Sequence, residues 1–155
     1  MKKAMLVLAV FALAGSLWAA DPIIGTWKLN IAKSKFAPST QAAMKEGTHV
    51  VRELGADQFE LTETQTRTDS SSTSYRFTWP QKGGVLKSEI LAEGTSSIVT
   101  IIEPGEWYTT NLRNGKQVST LHTVISKDGK TMRVTTKATD AQGKPYEVLR
   151  VLEKQ

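Results

Sequence analysis

The chain has 155 residues, 20 Lys and Arg against 15 Asp and Glu, a net charge of +5 and no cysteine. The missing thiols exclude disulfides, thiolate metal sites and cysteine nucleophiles in any compartment. The basic residues are scattered, with no block of about five like charges, so the electrostatic footprint of nucleic-acid binding is lacking.

Met1 to Ala20 reads as a secretory signal peptide. Lys2 and Lys3 form its positive end, and the apolar run Ala4 to Ala14 is too short to span a bilayer comfortably. Gly15 and Ser16 break that run, and Ala19 and Ala20 offer small residues for cleavage. Loss of the leader takes Lys2 and Lys3 with it and leaves residues 21–155 as one domain of charge +3, with 18 Lys and Arg against 15 Asp and Glu. A chain of that length builds its own core without a staple. No second long apolar run follows, so the mature chain is not expected to span a membrane. The expected location is bacterial, secreted to the periplasm or the exterior.

Ten strands are expected, at about 24–30, 47–54, 57–68, 72–80, 84–92, 96–103, 106–113, 116–126, 130–139 and 144–153. The first opens on Gly25-Thr26-Trp27. Between it and the second, "APSTQAAMKEG" reads either as a loop or as a short helix capped by Ser39 or Thr40 and ended by Gly47. In the third, Thr62, Thr64, Thr66 and Thr68 share one face and Phe59, Leu61, Glu63, Gln65 and Arg67 the other. In the fourth, Tyr75, Phe77 and Trp79 point one way. Turn signals separate the rest; Asn114-Gly115 and Asp128-Gly129 are the sharpest and suit type I′ hairpins. Short connections make the strands an antiparallel up-and-down meander. Closing it removes two exposed edges, so the expected fold is an all-β barrel of eight to ten strands rather than a sandwich or a curled open sheet.

Gly25-Thr26-Trp27 on a first strand resembles the Gly-x-Trp of the lipocalin and wider calycin barrels. The resemblance implies that Trp27 plugs the closed end, that Gly25 allows close backbone approach there, and that an Arg of the last strand, Arg150, lies across the indole. "GTWKLNIAKSKF" together with "SKDGKT" and "DAQGKP" is similar to a group of small exported bacterial proteins. That likeness brings a lipocalin-like fold and no activity.

Chemistry is sparse. His49 and His122 are the only histidines. Neither has His-x-His or His-Glu-x-x-His spacing, so no metal or cofactor is expected. Each reads first as a hydrogen-bonded strand residue. No Gly-x-Ser-x-Gly elbow is present. Glu103 and Glu106 bracket Pro104-Gly105 and are expected to flank a tight turn. A wide barrel leaves room for a small ligand, with Tyr75, Phe77, Trp79 and Trp107, or Tyr108 in its place, as apolar wall and Glu63, Arg67 and His122 as polar anchors. The expected function is therefore non-catalytic binding of a small apolar or amphipathic molecule by a monomer. One alternative is an envelope interaction module with a filled core. The other, less favoured, is a barrel enzyme using His122 and a nearby Glu.

Overall fold

The structure, a computed structural model, describes residues 21–36, 44–140 and 142–155. The leader and residues 37–43 lie outside that range. Ten antiparallel strands follow one another: β1 (Gly25–Leu29), β2 (Met44–Glu53), β3 (Gln58–Arg67), β4 (Ser72–Pro80), β5 (Gly84–Leu86), β6 (Thr95–Glu103), β7 (Glu106–Arg113), β8 (Lys116–Ile125), β9 (Thr131–Thr139) and β10 (Pro145–Lys154). They form one sheet in the order β4-β3-β2-β1-β10-β9-β8-β7-β6-β5, a nearly closed barrel. A 3-10 turn at Ile31–Lys33 follows β1. Among the described residues, no helix is long and apolar enough to cross a membrane.

The first and last strands are partners: Trp27 lies opposite Lys154 and Leu29 opposite Leu152. β1 is half as long as β10. Beyond Leu29 its chain stays on the β10 edge, where Asn30 N–H donates to the Val151 carbonyl and Lys35 bridges Leu149. Residues 44–47, which the sequence allows in a helix, are instead in β2. Thr48, Val50 and Val51 continue that strand, and β-branched side chains favour it.

The expected fifth strand, 84–92, is cut to three residues. Gly83 and Gly84 both have positive φ, 84° and 132°. A Cβ on Gly83 would stand 2.7 Å from the Val99 carbonyl oxygen, so no other residue fits that approach. After Leu86 the chain touches β4 once, where Thr78 and Lys87 exchange N–H···O bonds of 2.9 and 2.8 Å. It then turns away, and Leu91 joins the barrel lining. Consecutive strands β4 and β5 therefore meet at a seam rather than along a ladder. Ladder bonds alternate sides along a strand. Since Thr78 points its main chain at Lys87, Arg76, Ser74 and Ser72 point theirs to the same side, where no strand of the described residues pairs with them.

Asn114 and Gly115, with φ of 49° and 74°, make the expected I′ turn. The Asp128-Gly129 turn differs from expectation. Only Gly129 has positive φ, and its N–H donates to the Ser126 carbonyl at 2.8 Å. Asp128 Oδ1 instead accepts from Ser126 Oγ at 2.6 Å and from Lys130 N–H at 3.0 Å. A short acidic side chain that bonds local donors stabilises a longer loop without entering the left-handed region.

One end of the barrel is packed solid. Trp27 and Leu152 are fully buried there among Ile23, Val51, Ile125 and Met132. The Trp27 indole N–H donates to the Ile23 carbonyl at 2.8 Å. The cation over the ring is Lys154, its Nζ 5.0 Å from the ring centroid, and not Arg150. Lys154 lies opposite Trp27 in the ladder, whereas Arg150 lies opposite Val134 on the other side of β10, four residues away along the strand. Gly25 permits the Lys154 arrangement: a Cβ there would sit 2.8 Å from Lys154 Cε. The lysine stem runs over that bare backbone before its ammonium donates to the Pro22 carbonyl at 3.1 Å.

Trp27→Ala is expected to cost about 4 kcal/mol in urea unfolding followed by circular dichroism, the usual loss for a buried aromatic. A cost below about 1 kcal/mol would show that this end repacks freely. In hydrogen exchange, the Ser74 and Arg76 amides are expected to exchange much faster than those of Tyr75 and Phe77, which bond to β3. Equal protection along β4 would show the seam to be closed in solution.

Candidate functional site

Alternation sends every second side chain inward, and above the packed end the inward side chains stop filling the barrel. A cavity of about 420 Å³ remains. Its floor and walls include Phe77, Trp79, Val99, Trp107, Leu121 and Val134. Trp79 is buried against Phe59, with ring centroids 5.8 Å apart. The cavity reaches the rim at Thr95 and at Arg113, which is exposed. It therefore opens at the end of the barrel opposite Trp27.

Three strands bring a charged cluster into this apolar lining. β2 supplies His49, β3 supplies Glu63 directly opposite it in the ladder, and β10 supplies Arg150. All converge on one carboxylate oxygen. Glu63 Oε1 accepts from Arg150 Nη1 at 2.9 Å and from Gln65 Nε2 at 2.7 Å, and His49 Nε2 stands 3.4 Å away. His49 and Glu63 are buried, and Arg150 is largely so. Burial alone pushes the Glu63 carboxyl up. The His49 hydrogen bond, the charges of Arg150 and His49 and the Gln65 amide outweigh it and hold the group well below the usual carboxylate range. Glu63 is therefore ionised at any ordinary pH.

The opposite wall carries a neutral polar row. Ser97 Oγ donates to Asn111 Oδ1 at 2.6 Å, and Asn111 Nδ2 donates to Ser119 Oγ at 2.8 Å. Ladder pairing of β6 with β7 and of β7 with β8 puts the three side by side. All three line the cavity.

Of the ligand-facing residues expected from sequence, Phe77, Trp79 and Trp107 line the cavity. Tyr75 shares their strand face but lies beyond the lining, opposite Glu63 at the seam edge of the sheet. Arg67 does not reach the cavity. It ends β3, exposed, with its N–H bonded to Ser71 across the turn. His122 is on the outer wall, because its neighbours Leu121 and Thr123 take the inward positions. There it stacks on Tyr108, with centroids 4.4 Å apart and planes 6° apart, and bonds Glu106 at 2.8 Å. The pair expected of a barrel enzyme thus exists as a contact but outside the cavity. Glu103 and Glu106 flank the Pro104-Gly105 turn as expected.

His49 and Arg150 are the cavity residues that sequence reading assigned elsewhere. Their strand parity reveals them: His49 is two residues from buried Val51, and Arg150 two from buried Leu152. Among the described residues, no group of three or more His, Cys, Asp or Glu is placed to hold a metal ion.

Solved structures share this architecture. A point mutant of the fluorescent protein UnaG matches with a TM-score of 0.60 and 14% identity, over 88% of this chain and 99% of that one. The fold is lipocalin-like. Wild-type UnaG matches at 0.58, also with 14% identity, over 88% of this chain and 100% of that one. Zebrafish ileal bile acid-binding protein, complexed with cholic acid, matches at 0.52 with 17% identity, over 86% of this chain and 99% of that one. No protein-family model matches the chain, and no curated protein matches its sequence.

Glu63 gives the fold a specific acid response. Its folded pKa lies below the ordinary 4.5. Its contribution is therefore fully present above pH 4.5 and is lost as the pH falls further, while the unfolded chain takes up the proton first. Glu63→Ala is expected to cost about 3 kcal/mol at pH 7, because Arg150 is left buried and unpaired. The gap from wild type is expected to shrink steadily below pH 4.5. A gap in urea unfolding that stays constant down to pH 2.5 would contradict this account of the cluster (the lower pH being about two units under the ordinary carboxylate value).

Proposed function

We propose that this chain is an exported, monomeric, non-catalytic binding protein that holds a small, largely apolar molecule inside the barrel. The observation that carries the reading is the cavity itself. At about 420 Å³ it falls within the range of roughly 300–1,000 Å³ occupied by small-molecule sites. Its apolar lining with a few convergent polar groups has the composition such sites use. The zebrafish barrel of the same fold takes cholic acid, an amphipathic molecule, and that supports the same class of ligand here. The hollow favours this reading over the interaction-module alternative, which expects a filled core. Export rests on the leader: a positive end, a short apolar run and small residues before Asp21.

Native mass spectrometry of the gently purified chain is expected to show a bound small molecule, or an apo form that takes up the uncharged dye Nile red with a rise in fluorescence. Thr109 lines the cavity. Thr109→Trp is expected to fill part of the hollow, leave the circular dichroism unchanged and weaken dye binding by at least about tenfold, or 1.4 kcal/mol. Dye uptake unaffected by this substitution would place binding outside the barrel. Mass spectrometry of the periplasmic fraction from a bacterial host is expected to find the chain beginning at Ala20 or Asp21; a chain retaining Met1 there would refute the leader.

A further inference from the structure

The charged cluster narrows the class of ligand, granted the cavity-binding reading above. Arg150 and Glu63 are the oppositely charged pair on the cavity wall, and each is committed to the other at 2.9 Å. The charge of the guanidinium is thus offset by Glu63 before any ligand arrives, and one of its five N–H groups is taken up. The carboxylate is used unevenly. Among the described residues, Arg150, Gln65 and His49 all approach Oε1, and none is bonded to Oε2. Yet no side-chain oxygen or nitrogen of the described residues is both fully buried and without a partner. Oε2 therefore keeps accessible surface, and Glu63 lines the cavity. An ionised carboxylate accepts hydrogen bonds and cannot donate. It presents the ligand with an acceptor beside a guanidinium that already compensates its charge.

The geometry points to an uncharged hydrogen-bond donor, a hydroxyl on an apolar body, as the polar end of the ligand, with its O–H directed at Glu63 Oε2. At this cluster a carboxylate head would meet the negative Oε2 beside a cation whose charge is already offset, and the other cation of the lining, Arg113, lies at the exposed rim away from Glu63. An ammonium head would gain the carboxylate but meet the Arg150 guanidinium beside the same group. The opposite wall fits the same class. The Ser97–Asn111–Ser119 row offers hydroxyl and amide groups without charge, suited to a second hydroxyl or carbonyl on the same molecule. Burial of an uncharged donor against a buried charged acceptor gives the stronger sort of hydrogen bond without the desolvation of a second ion.

Displacement of Nile red by a matched series of dodecanol, dodecanoate and dodecylamine tests this with the full mature chain. Dodecanol is expected to bind at least about tenfold more tightly than either charged analogue. Glu63→Gln is expected to weaken dodecanol and strengthen dodecanoate about tenfold, reversing the order, because Arg150 is released. Dodecanoate binding as tightly as dodecanol to the wild-type chain would overturn the inference while leaving the cavity reading intact. An order unchanged in Glu63→Gln, in a variant whose circular dichroism is native, would overturn it as well. Failure of all three compounds to displace the dye, with dye uptake itself absent, would instead refute the cavity reading on which the inference rests. If Glu63→Gln does not fold, the wild-type ranking alone decides.

Discussion

The pairing of β1 with β10 is the constraint from which the barrel follows. β1 has five residues, and both its edges are used, by β2 on one side and β10 on the other. That position carries Trp27 to the floor and sets Lys154 across from it. Without the pairing, the largest fully buried side chain among the described residues would face water, and about 2–3 kcal/mol of apolar burial would be lost together with the floor. The Gly-x-Trp pattern is explained by two contacts rather than one. The indole needs an acceptor, which Ile23 supplies, and the lysine stem needs a backbone without a Cβ to cross, which Gly25 supplies.

Above that floor the same inward faces change chemistry. Ion pairs buried in protein add little net stability, since the Coulomb gain roughly offsets the desolvation of both ions. Their effect here is to fix where polarity sits in an otherwise apolar hollow. Glu63, drawn by three donors to one of its oxygens, orients the other. His49 holds it from the neighbouring β2 and Arg150 from β10, three strands away, so the acceptor's position is set by three elements of the sheet and not by a loop. The arrangement depends on ladder register: His49 opposes Glu63 because Val51 opposes Leu61. A slip of one residue would turn the cluster outward.

Much of this was legible in the amino-acid order, and the exceptions share a cause. Nine of the strands lie within about three residues of their expected bounds, since alternation and turn residues are local signals. The fifth was overestimated because only the turn signals around Gly83-Gly84 and Gly94 bounded it, while what ends the strand is the departure of the chain after Lys87, a tertiary event. Phe77 and Trp79 were grouped on one strand face by parity, and that face is the inner one. His122 was misplaced, because its strand parity was never fixed against a buried neighbour; Thr123 is that neighbour. Arg150 was drawn to Trp27 by a family pattern, although its spacing from Leu152 already placed it along the inner face. Arg67 obeys the parity of Glu63 but lies beyond the rim, and rim height is invisible in a one-dimensional pattern.

The seam between β4 and β5 has a topological meaning. The chain's first and last strands are ladder partners, while two strands adjacent in sequence are joined by a single bridge. The discontinuity of the wall thus falls in mid-chain, at residues 81–83. A circularly permuted polypeptide, with 155 linked back to 21 and new ends opened between β4 and β5, would visit every strand in its spatial order from one border of the sheet to the other. Each ladder would then join sequence neighbours, and the long-range closure that now brings β1 to β10 would become a local hairpin-like step. The natural order of the strands places the most distant pairing of the chain at the floor of the barrel and leaves the weakest junction to neighbours.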